Sequence, residues 1–223
     1  MQYPDRKPES AFDLLGTTIS CSSCGIDHIV CTKDVVIADD AIHALVEQVR
    51  KHVSGGRVGV VADPRTATIA GDQVASHLGR AGFQVFACTV PDPSRPPGTP
   101  QCDDITYRWL EEELDPCDGL VAVGSGVIND LVKWVAGERG IGYLALATAP
   151  SMNGYASDNV ATTIDGVKGL VRSRAPVAIV SSPSLLAEAP PPMIAAGLGD
   201  VIAKWVSAAD WHMNHVLFAE RVC

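Results

Sequence analysis

"GLVAVGSGVINDLVKW", residues 119–134, decides the fold. Leu120–Val123 is apolar without alternation, as expected of a strand buried on both faces. Gly124, Ser125 and Gly126 then break the strand. Ile128, Leu131, Val132 and Val135 follow at helical spacing. A strand, a glycine turn and a helix start place backbone N–H groups at a helix N-terminus, which is a seat for a phosphate.

The same pattern repeats outward. "KDVVIADDAIHALVEQVRKH", residues 33–52, reads as a strand and then a helix. Asp39 or Asp40 caps that helix, and Ile42, Leu45, Val46 and Val49 form its apolar stripe. Arg57–Ala62 is a strand, and Ala70, Val74 and Leu78 share one face of the helix after it. "FQVFACTV" (83–90) is another strand. "PDPSRPPGTP" (91–100), with five prolines, is a loop. "DITYRWLEEEL" (104–114) is a short helix and "GYLALA" (142–147) a strand. Strands alternating with helices predict an α/β fold, a parallel Rossmann-like sheet covered on both faces. Right-handed crossovers then place Asp63, Gly124 and Thr148, each just past a strand end, on one rim.

After residue 150 the character changes. "ATTIDGVKGLV" (161–171) reads as a hairpin around Asp165 and Gly166, and "PVAIVS" (176–181) as one more strand. Helix is expected from Met193 to about Phe218, with Leu198, Val201, Ile202 and Trp205 on one face. The expected division is a loose leader over 1–12, a nucleotide-binding α/β domain over 13–188, and the start of an all-helical domain over 189–223. That last stretch ends in mid-pattern, so the chain reads as shortened.

The totals bound the function. The 223 residues are 47% hydrophobic, enough for one sizeable core. The net charge of -9, with no basic run, argues against nucleic acid. No apolar stretch reaches the ~18 residues of a membrane span. The polar N-terminus does not suit a signal peptide. The seven cysteines are then expected as reduced thiols in a cytoplasmic protein.

Four stretches carry candidate chemistry. Gly124 and Gly126 let a backbone approach a phosphate, but Asn129 stands where a Rossmann fingerprint has its third glycine; a tight turn alone is equally compatible. Asp63 is a strand-end carboxylate able to bind a ribose hydroxyl. In "ATAPSMNGYASDNVA" (147–161), Thr148, Ser151, Asn153 and Ser157 suit a polar ligand, or make an ordinary Ser/Asn-rich turn. In "AAGLGDVIAKW" (195–205), Asp200 is placed at or just inside a helix start. There it is either a dipole-complementing carboxylate or a metal ligand. His212 and His215 lie 12 and 15 residues further on, roughly 18 Å or more along a continuous helix, too far to share its metal. In "CSSCGIDHIVC" (21–31), Cys21, Cys24, His28 and Cys31 have nearly the spacing of a zinc knuckle; reduced thiols are the plainer reading.

"VAVGSGVINDLVKWVA", "LATAPSMNGYASDNVA", "APVAIVSSPSLLAEAPPPMIAAGLGDVIAKW" and "ADW" together resemble sn-glycerol-1-phosphate dehydrogenase of the bacterial type. That family groups with the iron-containing alcohol dehydrogenases and dehydroquinate synthases. The resemblance runs from about Cys21 to Phe218. It implies reduction of dihydroxyacetone phosphate to sn-glycerol 1-phosphate with NAD, or NADP, in a cleft between a nucleotide-binding and a helical domain. It also implies a divalent metal, zinc or nickel, acting as a Lewis acid. The apolar face of Leu198, Val201, Ile202 and Trp205, left without helices to pack on, predicts poor solubility or a homodimer.

Carried over by resemblance, Asp63 binds ribose. Gly124, Gly126, Val127, Ile128, Asn129 and Asp130 form the pyrophosphate turn. Thr148, Ala149, Pro150 and Ser151 form a second cofactor turn, and Ser157 is a further cofactor contact. Asp200 is catalytic, ligating metal and touching substrate. Asn153, where the family commonly has Asp, is a substrate contact. The metal-binding histidines implied by the family lie well beyond Asp200, so the metal site is expected to be incomplete. Dehydroquinate synthase would have Glu at position 200 and a different substrate loop. Two other readings are a non-catalytic dinucleotide-binding remnant and a zinc-dependent interaction module on Cys21, Cys24, His28 and Cys31.

Overall fold

The computed structural model describes residues 10–21, 24–94 and 98–222. Residues 1–9 of the expected leader lie outside these. Ala11–Leu14 form a 3-10 turn capped by Ser10, across the expected boundary at position 13.

The strands are β1 (Thr18–Ser20), β2 (Asp27–Ile29), β3 (Asp34–Ile37), β4 (Arg57–Ala62), β5 (Gln84–Thr89), β6 (Gly119–Gly124), β7 (Gly142–Ala147), β8 (Asn159–Ile164), β9 (Val167–Arg172) and β10 (Ala178–Ser181). The helices are α1 (Ala41–His52), α2 (Pro64–Thr66), α3 (Asp72–Arg80), α4 (Asp104–Glu113), α5 (Gly126–Arg139), α6 (Pro183–Ala187) and α7 (Pro191–Phe218). Six strands form one parallel sheet in the order β3-β10-β7-β6-β4-β5. Two antiparallel hairpins, β1–β2 and β8–β9, stand apart from it.

The sheet is covered on both faces. Every residue of β6 is buried, and alternate residues serve opposite layers, as the period of two requires. Val121 and Val123 join Leu45 and Val49 of α1 and Val74 and Leu78 of α3. Leu120 and Ala122 join Leu110 of α4 and Leu131 and Val135 of α5. A strand with both faces buried cannot alternate apolar and polar residues, which is why β6 reads as an apolar run.

Local chemistry fixes the element ends. Asp40 caps α1, accepting from the His43 N–H at 2.9 Å. Gly140 ends α5 with φ at 67°, a left-handed position that costs glycine least. Asp165 and Gly166 turn the β8–β9 hairpin with φ of 50° and 79°, the positive pair such a two-residue turn needs.

Three features depart from the sequence reading. The helix after β4 is not uniform: a π segment, Ala67–Gly71, joins α2 to α3. The short helix α6 intervenes before α7. And α7 starts at Pro191, where a proline at the first turn loses no hydrogen bond. Asp200 is therefore deep inside α7 rather than at its start. Leu198, Val201, Ile202 and Trp205 of α7 are all exposed, Trp205 at 82%. Among the described residues no helix is long and apolar enough to cross a membrane.

Candidate active site

The chain leaves β4 for the outer strand β5, then returns to β6 on the other side of β4. That reversal opens a crevice at the carboxyl ends of β4 and β6, the usual ligand position in such sheets. A cleft of about 620 Å3 lies there. Asp63, Arg65 and Thr66 line it after β4, Ser125, Val127 and Ile128 after β6, and Thr148 and Ala149 after β7. The segment from Leu185 to Met193 and residues 99–101 close the remaining sides.

The two glycines of the turn do different things. A Cβ at Gly124 would sit 2.8 Å from Ile128 Cβ, so glycine there lets strand and helix pack directly. A Cβ at Gly126 would meet only Met152 Sδ, at 3.6 Å, an ordinary contact that packing does not forbid. Ser125, the N-cap of α5, makes no side-chain cap bond; its Oγ lies against Ser151 Oγ instead. Among the described residues no side chain bonds to the first N–H groups of α5, and they carry the positive end of the helix dipole.

Asp63 is held at the end of β4. Its Oδ1 accepts the N–H groups of Arg65 at 2.8 Å and Thr66 at 2.9 Å. The Arg65 guanidinium lies 3.2 Å from the other oxygen and forks onto both oxygens of Asp92 at 3.0 and 2.9 Å. The Asp92 hydrogen bond holds Arg65 above its ordinary pKa, and Arg65 holds Asp92 below the usual carboxylate range. Sequence reasoning missed Arg65; the signal was an arginine two residues past a strand-end acid in "ADPRT". Tyr155 donates to the Ala149 carbonyl at 2.7 Å. Burial raises its pKa, so the hydroxyl stays a donor and braces the second turn.

Other expected cofactor residues lie outside the cleft. Asn129 is fully buried, with Oδ1 accepting from the Tyr143 hydroxyl at 3.4 Å. Its Nδ2 has no partner among the described residues. Asp130 pairs with the fully buried Lys133 at 2.9 Å and accepts from the Ala161 N–H at 3.2 Å. Both face the core and the β8–β9 hairpin because they fall on the packed side of α5. Ser157 accepts from the Asn159 N–H at 3.0 Å, at the hairpin's base. Pro150 lies under α7 at Gly197.

Asp200 and Asn153 do meet. Asp200 Oδ2 accepts the Asn153 N–H at 2.7 Å, and Asn153 Nδ2 donates to the Asp200 carbonyl at 3.2 Å. Met152, next to Asn153, has its Sδ 3.6 Å from where a Gly126 Cβ would lie, so the pair sits close to the glycine turn. For a metal the fit is poor. His212 and His215 lie on the same unbroken helix as Asp200, and His215 Nδ1 is already bonded to the Glu220 carbonyl. Asp200 belongs to no three-ligand group among the described residues. A catalytic metal takes about three protein ligands, and this stretch offers it one.

A sequence model of the family described as iron-containing alcohol dehydrogenase matches residues 36–190. The chain belongs to the iron-containing alcohol dehydrogenase family. The match takes in Asp63, the turn at Gly124–Gly126 and Thr148, while Asp200 falls beyond it. A curated relative from Bacillus licheniformis, named glycerol-1-phosphate dehydrogenase [NAD(P)+], is 32% identical over 211 residues, 92% of this chain and 51% of that one. One of the same name from Geobacillus stearothermophilus is 32% identical over 90% of this chain and 49% of that one. This member of the family therefore spans about half the length of the curated relatives it matches. The crystal structure of glycerol dehydrogenase from Schizosaccharomyces pombe aligns with a TM-score of 0.65 at 18% identity, over 78% of this chain and 43% of that one. That likeness speaks for the fold alone.

Proposed function

We propose that this chain supplies the cofactor-binding half of an NAD(P)-dependent dehydrogenase interconverting dihydroxyacetone phosphate and sn-glycerol 1-phosphate. One observation carries the reading: the uncapped N-terminus of α5 opens at the switch-point cleft, with Asp63 on the neighbouring strand end. The N–H groups following Gly126 suit a pyrophosphate, and the Asp63 carboxylate retains lone pairs for ribose hydroxyls. When bound, the dinucleotide would supply the hydride. Arg65 is shared between Asp63 and Asp92, so a net negative charge remains there to repel a 2′-phosphate, and the site favours NAD over NADP. Thr148, Ala149 and Ser151 back the cofactor. Asn153 and Asp200 face the substrate side, where the Asn153 amide can hydrogen-bond a hydroxyl but takes no proton. Zinc or nickel at Asp200 would need ligands from outside the described residues.

On this reading residues 13–188 are the nucleotide-binding domain and 189–223 open the helical one. The name shared by the relatives supplies the substrate. The six described cysteines are all free of disulfides, which supports a cytoplasmic setting. The exposed face of α7 favours pairing of copies; sedimentation should show association that grows with concentration, and a monomer throughout would count against it.

NADH titration and dihydroxyacetone phosphate-dependent NADH oxidation test the reading together. Gly126→Ala should keep the fold, since its Cβ meets no close atom. It should weaken NADH binding about tenfold, or about 1.4 kcal/mol, by crowding the N–H groups. Gly124→Ala should instead lower stability, because its Cβ would collide with Ile128. Unchanged NADH affinity in Gly126→Ala would remove the turn from the cofactor site.

A further inference from the structure

The hairpin β1–β2 has two strands of three residues each, and all but one of the six strand residues are exposed. It joins neither the six-stranded sheet nor the other hairpin. A two-stranded ribbon of that size is marginal at best in water, so something must hold it. Its only buried residue among those described at the turn is Cys21, at 6% exposure.

At the turn end of this ribbon Cys21 Sγ, Cys24 Sγ and a His28 ring nitrogen lie within 4.8 Å of one another. Cys24 Sγ is 3.2 Å from His28 Nε2. Zinc–sulfur bonds of about 2.3 Å and zinc–nitrogen bonds of about 2.0 Å at tetrahedral angles separate ligand atoms by roughly 3.5–3.8 Å. The Cys24–His28 pair is already close to that spacing, and Cys21 Sγ lies within 4.8 Å of both. The backbone makes the matching turn: the Gly25 N–H donates to the Cys21 carbonyl at 2.8 Å, and the Cys21 N–H to the Ile26 carbonyl at 3.0 Å. Gly25 takes φ of 69° directly after Cys24, which brings the second thiol back over the first. Other thiols differ. Cys88 and Cys102 are half-buried against the core, and burial pushes them up to about 11 and about 12, so they stay protonated.

We propose that Cys21, Cys24 and His28 bind one Zn2+ that staples the β1–β2 hairpin. Two thiolates and one neutral imidazole ligate the ion, and the two thiol protons pass to solvent. Cys31 is exposed and outside the cluster, so a water molecule takes the fourth position. The ion serves structure, because the hairpin adjoins the amino ends of the strands and the cleft lies at their carboxyl ends. Thr32, just after it, bonds to the Pro176 carbonyl at 2.8 Å, and Lys33 N–H to the Val177 carbonyl at 2.9 Å. Both of those carbonyls precede β10, at the amino ends of the strands.

The test is zinc content of the full chain, purified reduced and without chelator or metal-affinity resin. One zinc per chain is expected. Cys24→Ser and His28→Ala should each lose it, while Cys31→Ser and Asp200→Ala keep it. Cobalt in place of zinc should give a thiolate-to-metal charge-transfer band that Cys24→Ser weakens. If a variant fails to fold, the parent still answers: a mercurial titration should release the zinc as two thiols react. Absence of zinc from the reduced parent, or zinc lost in Asp200→Ala and kept in His28→Ala, overturns the proposal.

Discussion

Asp130→Ala should destabilise the chain by about 3–5 kcal/mol. Lys133 is fully buried, and Asp130 is its charged partner at 2.9 Å. Removing the carboxylate leaves an ammonium in the core with only the Asn159 carbonyl at 3.0 Å and the Gly154 carbonyl at 3.5 Å. An unpaired buried cation costs far more than a surface pair is worth. The Ala161 N–H also loses its acceptor, so the β8–β9 hairpin should loosen from α5. Urea unfolding reads the loss. Adding Lys133→Met should recover most of it, because an apolar side chain of similar length removes the stranded charge. A drop in NADH affinity with unchanged stability would instead put Asp130 in the cofactor site.

That outcome bears on what sequence can reveal. The β6–turn–α5 unit is legible because two periods and two glycines mark it without tertiary knowledge. Asn129 and Asp130 are not, since a polar residue in the first turn of a helix can face a ligand or the core. The deciding partner of Asp130 is Lys133, three residues on, and spacing alone does not say that this pair is buried. Asp200 misleads for a related reason. Gly197 and Gly199 make "GLGD" resemble a helix start, yet α7 runs through both from Pro191. Tertiary packing overrides their weak helix propensity. Arg65 is invisible as a site residue until the strand order brings β4 and β6 together at the cleft. The knuckle at Cys21–His28 is legible as spacing, whereas the isolation of its hairpin from the sheet is not.

Gly197→Ala should disturb the packing of α7 on the loop from Pro150 to Asn153. Its Cβ would run into the Pro150 carbonyl oxygen and sit 3.3 Å from Ser151 Cα. Both neighbours are backbone, so no side chain can swing away. The helix must move off the loop by more than an ångström, and overpacking of this kind costs about 1–3 kcal/mol. Better helix propensity returns up to about 1 kcal/mol, leaving a net loss. Gly197 and Asp200 are three residues apart and share a helix face. Lifting one lifts the other, so the Asn153 N–H should lose its bond to Asp200. Hydrogen exchange at Asn153 should then quicken while β6 stays protected. Gly199→Ala is the control. Nothing lies within 4 Å of its added Cβ, so it should raise stability by up to about 1 kcal/mol and leave Asn153 protected. The opposite signs separate close approach from helix propensity. If both variants shift stability in the same direction, α7 does not rest on Pro150, and the pairing of Asp200 with Asn153 fails with it.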